Sequence, residues 1–325
     1  MRLLVTGGCG FIGSNFIRLV LGKYKDVRVI NLDKLTYCGN SENLKSIAGD
    51  SRYSFVKGDI CDKKLVEKLM GQADAVVNFA AETHVDRSIK YPDDFLMTNV
   101  YGVKVLLEAA RKTNITRFIQ IGTDEVYGSV ASGFSKEEDS LKPNSPYSAT
   151  KASGDFLALS YCATYRLPVV VVRSSNNFGP FQYPEKVIPL FITNLLRGQK
   201  VPLYGDGGNV RDWLFVKDNC EGIDLALHSG KPGQIYNIGG GTCLSNLELT
   251  GKILSVTGKG EESIEYVNDR PGHDRRYALD SSKIEGLGWA PEAGFDENLK
   301  ETVGWYKDNE SWWQPLRDKA EIIEW

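Results

Sequence analysis

The chain has 325 residues, with 39 Lys or Arg against 42 Asp or Glu, for a net charge of −3. That balance excludes electrostatic capture of nucleic acid, which needs a clustered basic surface. The 42% of hydrophobic residues suffices for one large domain or two smaller ones, and no apolar run approaches the ~20 residues of a membrane span.

The first predicted strand, Leu3–Thr6, runs straight into a glycine-rich turn. Its apolar stretch is too short for a signal peptide. The first predicted helix is Phe11–Leu21, followed by strands Val27–Leu32 and Tyr53–Lys57, helix Lys63–Met70 and strand Ala75–Phe79. Helix Phe95–Lys112, strand Arg117–Ile121, helix Ser148–Tyr165 and strand Pro168–Arg173 continue the pattern. Strands alternating with helices at this spacing predict βαβ units, and the run Val169-Val170-Val171-Val172 suits a sheet buried on both faces. The expected fold class is therefore α/β, a Rossmann-type doubly wound parallel sheet. Beyond Arg173 the pattern loosens: residues 176–189 and 205–210 read as loops, and Ile188–Leu196 and Leu247–Thr257 as helices of a smaller, mixed α/β C-terminal region. Trp305, Trp312, Trp313 and Trp325 suit packing or an interface. The six cysteines (Cys9, Cys38, Cys61, Cys162, Cys220, Cys243) form no CxxC pair, and none of the three histidines is spaced with them like a metal site. Reduced thiols, a cytoplasmic location and no metal are expected.

Gly7, Gly10 and Gly13 are spaced GxxGxxG where the first strand meets the first helix. Glycines there let the backbone turn tightly and approach a pyrophosphate at the positive end of the helix. Asp33, 20 residues past Gly13 at the end of the second strand, is placed to accept from adenosine ribose hydroxyls. A carboxylate would repel a 2′-phosphate, favouring NAD over NADP, although the adjacent Lys34 leaves that choice open. Asp59-Ile60 follows the third strand and suits the adenine edge.

Tyr147-Ser148-Ala149-Thr150-Lys151 sets a phenol and an ammonium four apart at a helix start, on one face. A lysine beside a phenol is expected to lower its pKa and make it a base for hydroxyl–ketone interconversion. The segment Gly122-Thr123-Asp124-Glu125-Val126-Tyr127-Gly128 directly follows the fifth strand. Ligands collect at such strand ends, so Thr123 can share a sugar hydroxyl with Tyr147. Asp124 and Glu125, crowded in a cleft, can split into a proton donor and an acceptor. Adjacent acids also suit a solvated loop, and a Tyr-Lys pair a plain helix surface. The combination is what points to chemistry.

The glycine turn and the Tyr-Lys pair together resemble the extended short-chain dehydrogenases/reductases. Gly10-Phe11-Ile12-Gly13-Ser14-Asn15-Phe16, Asp33-Lys34-Leu35-Thr36-Tyr37, Ala80-Ala81-Glu82-Thr83-His84-Val85-Asp86-Arg87-Ser88, Thr123-Asp124-Glu125-Val126-Tyr127-Gly128 and Val210-Arg211-Asp212-Trp213-Leu214 resemble the dTDP-glucose 4,6-dehydratase family, from the first strand to about Trp313. The resemblance implies NAD held by Gly7, Gly10, Phe11, Ile12, Gly13, Asp33, Lys34, Leu35, Thr36, Asp59, Ile60, Ala80, Ala81, Glu82, Thr83, Thr98, Tyr147, Lys151 and Asn177. It implies catalysis by Thr123, Asp124, Glu125, Tyr147 and Lys151, and contacts to dTDP-glucose from His84, Thr123, Asn176, Lys186, Val187, Pro202, Tyr204, Arg211, Asn246, Arg270 and His273. Residues 1–175, rejoined by about 210–240, would be the NAD-binding domain, and 176–209 with 241–325 the substrate-binding domain. Tyr147 would take the C4 hydroxyl proton, Glu125 the C5 proton, and Asp124 would protonate the departing C6 hydroxyl. The resemblance also implies a homodimer through a four-helix bundle built from the helices at 95–112 and 148–165. The other readings are a dehydratase of UDP- or CDP-glucose, a nucleotide-sugar 4-epimerase, which would not need Asp124 and Glu125, and a catalytically silent NAD-binding regulator.

Overall fold

The computed structural model describes residues 1–269 and 273–319. Its strands are β1 (Arg2–Thr6), β2 (Arg28–Asp33), β3 (Tyr53–Lys57), β4 (Ala75–Asn78), β5 (Arg117–Ile121), β6 (Val169–Ser174), β7 (Asn176–Phe178), β8 (Val201–Tyr204), β9 (Val210–Phe215), β10 (Ile235–Ile238), β11 (Cys243–Ser245) and β12 (Ile264–Val267). The helices are α1 (Phe11–Lys23), α2 (Lys63–Met70), α3 (Val85–Lys90), α4 (Pro92–Leu96), α5 (Val103–Arg111), α6 (Pro146–Tyr165), α7 (Val187–Leu196), α8 (Val216–Ser229), α9 (Asn246–Thr257), α10 (Ser282–Glu285), α11 (Phe295–Asp308) and α12 (Glu310–Lys319).

Seven parallel strands form the main sheet in the order β10-β6-β5-β4-β1-β2-β3. Alternation along a strand sends successive side chains to opposite faces. Leu3 and Val5 of β1, with Val170 and Val172 of β6, pack against Phe16 and Ile17 of α1. Leu4, Val169 and Val171 face the other way, against Leu106 of α5 and Ala158 of α6. Both faces are covered, so every residue of β6 is buried, and each buried valine contributes roughly 1.5–3 kcal/mol of hydrophobic stabilisation. The fold is of the expected class. The strand order reverses between β1 and β4, and the carboxyl ends of those strands open a crevice.

A third apolar core gathers Phe191 and Ile192 of α7, Trp213 of β9, Leu249 and Ile253 of α9, Tyr306 of α11 and Trp313 of α12. It packs around the three-stranded sheet β11-β9-β7 and beside the parallel pair β12-β8. Several boundaries differ from expectation. Residues 176–178, read as loop, form β7 alongside β9. The single helix expected at Phe95–Lys112 is interrupted: α4 starts at Pro92, and Met97–Gly102 is a π-helical segment before α5. That segment turns Asn99 inward, where its side-chain oxygen accepts from the Glu82 amide and its nitrogen donates to Thr150 Oγ1. π segments are frequent at functional sites. Helix α6 starts two residues early because Ser145 and Ser148 form a reciprocal capping box with Pro146 in the first turn. Strand β10, absent from the sequence-based expectation, returns to the main sheet beside β6.

Candidate active site

The crevice at the β1–β4 reversal is a cavity of about 310 Å³ lined from the glycine turn to the start of α7. At its floor the glycines are needed for space. Gly7 adopts φ +70°, and a Cβ on it would lie 2.6 Å from the Ala80 amide nitrogen. A Cβ on Gly13 would lie 2.5 Å from the Gly7 carbonyl oxygen. Gly10 is the N-cap of α1 and carries no side-chain cap, so the first-turn amides of the helix are presented to the crevice. Asp33 is buried, and its two oxygens accept from the Leu35 and Cys9 amides at 2.8 Å each. Burial pushes its carboxyl up while those amides oppose the shift. The Lys34 ammonium is paired with Asp59 at 2.8 Å.

Phe11, Ile12, Thr36, Ile60, Ala80, Ala81, Glu82, Thr83, Thr98 and Asn177 line the same crevice. Leu35 lies just outside it, at φ +57°. Asn176 Oδ1, Asn177 Oδ1 and Gln182 Oε1 are buried with no hydrogen-bond partner among the described residues. Buried acceptors normally have donors. Three of them on one wall suit a ligand rich in hydroxyl and amide N–H groups, as a nicotinamide dinucleotide is, and the glycine cradle suits its pyrophosphate.

Thr123, Asp124, Glu125, Tyr147 and Lys151 converge on the inner end of this crevice. Thr123 caps the short 3₁₀ turn Asp124–Tyr127, its hydroxyl accepting from the Glu125 amide at 3.3 Å and donating to Asp124 Oδ1 at 3.2 Å. Burial first, then Glu125 and Asp212, hold the Asp124 carboxyl well above the carboxylate range. Asp124 Oδ2 has no hydrogen-bond partner among the described residues. The arrangement therefore sets an acid that holds its proton more tightly than usual beside a second carboxyl group. Tyr147 departs from expectation: burial, with Glu125 next, pushes its phenol above the ordinary value rather than below it, and only Thr123 pulls it down appreciably. Burial is the largest cause, and Lys151 does not offset it. Its ammonium donates to the Ile121 carbonyl at 2.5 Å, and burial lowers it to about 8.

The other expected substrate contacts come from several elements. Lys186, the N-cap of α7, lines the crevice, and Val187 follows it as the first residue of the helix. His84 caps α3 at φ +89°, a conformation uncommon for a side-chain-bearing residue. Arg211 is buried over the Tyr277 ring at 4.4 Å, donates to the Asp274 carbonyl and acts electrostatically on Asp124. Tyr204 and His273 meet edge-to-face at 6.3 Å, with His273 Nδ1 2.6 Å from Asp269. Pro202 lies on β8 and Asn246 opens α9. Arg270 lies outside the described residues.

Sequence reasoning missed the wall formed by Cys38, Tyr183 and Glu185. Tyr37 donates to Glu185 Oε1 at 2.9 Å across 148 residues of chain, beneath the Arg87 guanidinium, and no local pattern announces such a pairing. Among the described residues no group of His, Cys, Asp and Glu is placed to hold a metal ion, and no helix is long and apolar enough to cross a membrane.

The profile of the GDP-mannose 4,6 dehydratase family matches residues 4–302. A dTDP-glucose 4,6-dehydratase of Streptomyces niveus is 53% identical over 326 residues, covering 99% of this chain and 97% of that protein. One of Streptomyces antibioticus is 52% identical over 325 residues, covering 98% of this chain and 96% of the relative. The crystal structure of DesIV, a dTDP-glucose 4,6-dehydratase of Streptomyces venezuelae with NAD and TYD bound, is similar at a TM-score of 0.95 and 52% identity, over 97% of this chain and 100% of that one.

Proposed function

The chain belongs to the dTDP-glucose 4,6-dehydratases, within the extended short-chain dehydrogenase/reductase superfamily, and from that premise we propose that it converts dTDP-glucose to dTDP-4-keto-6-deoxyglucose and water. The observation that carries this reading is the carboxyl pair after Thr123, with Asp124 buried and Glu125 half-buried. Burial and Glu125 hold the Asp124 carboxyl well above the usual carboxylate range, opposite the Tyr147–Lys151 helix and in the same crevice. A 4-epimerase needs the tyrosine and the cofactor but has no water to eliminate.

The residues divide the work. Gly7, Gly10, Gly13, Asp33 and the wall from Ala80 to Thr83 would hold NAD, which when bound supplies the hydride acceptor for C4 and the donor for C6. The engagement of Lys34 by Asp59 supports NAD over NADP, since that ammonium is already neutralised. Tyr147, assisted by Thr123 and Lys151, takes the C4 hydroxyl proton. The ketone formed at C4 acidifies the C5 proton, which Glu125 removes. Asp124 donates its proton to the C6 hydroxyl as it leaves, completing loss of water, and C5 is reprotonated as C6 receives the returning hydride. Lys186, which lines the crevice, would bind the nucleotide diphosphate and sugar together with Arg211, Tyr204, His273, Asn246 and His84. The protein would work in the cytoplasm as a homodimer, joined through the helical stretches at 95–112 and 148–165 and their copies.

Purified protein with dTDP-glucose in deuterated water is expected to give a new C6 methyl signal by NMR, with solvent deuterium at C5 and hydrogen derived from C4 at C6. Inversion at C4 without deuterium at C5 would make it an epimerase. Turnover of UDP- or CDP-glucose in place of dTDP-glucose would reassign the substrate.

A further inference from the structure

Directly behind the site runs a chain of buried polar groups that these acid–base steps leave unused. Asp155 lies one turn after Lys151 on α6 and is 0% exposed, and Arg173 on β6 is 1% exposed. Arg173 Nε donates to Asp155 Oδ2 at 2.9 Å, and its Nη1 donates to the Tyr127 hydroxyl at 2.8 Å. Tyr127 closes the turn that carries Asp124 and Glu125, and its hydroxyl donates onward to Asn237 Oδ1 at 2.9 Å. One ion pair thus touches the helix of Tyr147 and Lys151, the turn of the two acids and the strand between them. Gly122 gauges how close they lie: a Cβ there would come within 3.0 Å of both Asp155 Oδ2 and Arg173 Cγ. The second oxygen, Asp155 Oδ1, has no hydrogen-bond partner among the described residues.

A fully buried ion pair is a weak source of stability, because desolvation offsets most of the attraction. Its position suggests another use. We propose that Asp155, fixed by Arg173, is a positioning residue whose negative charge keeps Lys151 an ammonium beside Tyr147. The inference rests on the reaction proposed above for Tyr147 and Lys151. Lys151 has a carbonyl, not a carboxylate, as its hydrogen-bond partner, so its charge depends on what stands nearby. On α6 these groups are Tyr147 and Asp155; across the crevice they are Asp124 and Glu125; from β6 Arg173 stands behind Asp155. Helices α3 to α5 also pack near α6, and Glu108 of α5 is engaged by Arg111 and Tyr161. Of all these charges, Asp155 is the one set close behind Lys151: it lies four residues on along α6, and its Oδ2 would be 3.0 Å from a Cβ on Gly122, next to the Ile121 carbonyl that Lys151 holds, so its charge opposes the effect of burial on that lysine.

Asp155→Asn tests the proposal, since the amide still accepts from Arg173 but carries no charge. With lysine labelled at 13Cε, the Lys151 resonance, identified by its loss in Lys151→Arg, is expected to titrate about one pH unit lower in the variant. The alkaline limb of kcat should move with it, for about a tenfold loss above the new midpoint, with KM unchanged. If the lone buried arginine prevents folding, Asp155→Asn/Arg173→Met carries neither charge and is expected to show the same shift. Lys151 titrating at the wild-type pH in either folded variant overturns the proposal. Wild-type protein inert toward dTDP-glucose at every pH would overturn the substrate instead, and the lysine titration would still decide the role of Asp155.

Discussion

Asp124 holds its proton more tightly than an ordinary carboxyl, for a physical reason that also makes it testable. Its carboxyl is buried, shares the crevice with Glu125 and feels Asp212 nearby, and all three effects disfavour ionisation. In the folded state the proton is therefore held far more tightly than in the unfolded chain. The sign follows: below the ordinary carboxyl range both states are protonated and nothing is lost, whereas above it the unfolded chain gains by ionising and folding becomes costlier. Asp124→Asn needs no proton, so the variant is expected to exceed the parent in stability at pH 7 and to match it near pH 4, by urea unfolding at both values. The same variant should lose about 10²–10⁴-fold in kcat, the usual contribution of a positioned acid. Oxidation at C4 should survive, seen as reduced cofactor accumulating at 340 nm when substrate is added. Loss of stability at pH 7 would mean that Asp124 is ionised in the native protein.

At the scale of elements, the glycine turn, the start of α6 and the turn after β5 were legible in sequence. Gly7, Gly10 and Gly13 announce the β1–α1 turn because their reason is local: the Gly13 position lies against the Gly7 carbonyl, too close for any Cβ. Gly13→Ala is accordingly expected to push α1 away from the turn and to lower the NAD retained by purified protein at least tenfold, measured as nucleotide released on denaturation; undiminished NAD would refute the cradle. Tyr147 and Lys151 were legible for the same reason, four residues apart on one helix. What was not legible depends on distant chain. The π segment at Met97–Gly102 is held by Asn99 bonding to Glu82 and Thr150, and no periodicity encodes those partners. The expected depression of the Tyr147 phenol is outweighed by its burial and by Glu125, which sequence spacing does not reveal.

At the scale of the whole molecule, the helix layer on one face of the sheet is the feature that a lone chain leaves incomplete. Helices α3, α4 and α6 pack together beside the π segment, and their inner residues join the core, as Phe95 does at 2% exposure. Leu96, Met97 and Phe156 instead stand 52%, 50% and 59% exposed on the same layer, with Ile89 and Tyr91 also exposed. Scattered exposed apolar side chains are ordinary, but a cluster on one layer marks an interaction surface. A second copy is the occupant proposed for it, because a two-fold axis lets one apolar patch cover itself. The mass in solution, by light scattering after size exclusion, is then expected to be twice the 36.1 kDa of the chain. Leu96→Glu/Phe156→Glu places four charges in that interface per dimer and should return the mass to that of one chain. Neither Leu96 nor Phe156 lines the catalytic crevice at the strand ends, so the substitutions should leave NAD retention intact. Wild-type protein running at the single-chain mass, or a doubly substituted dimer, would place the contact elsewhere or remove it.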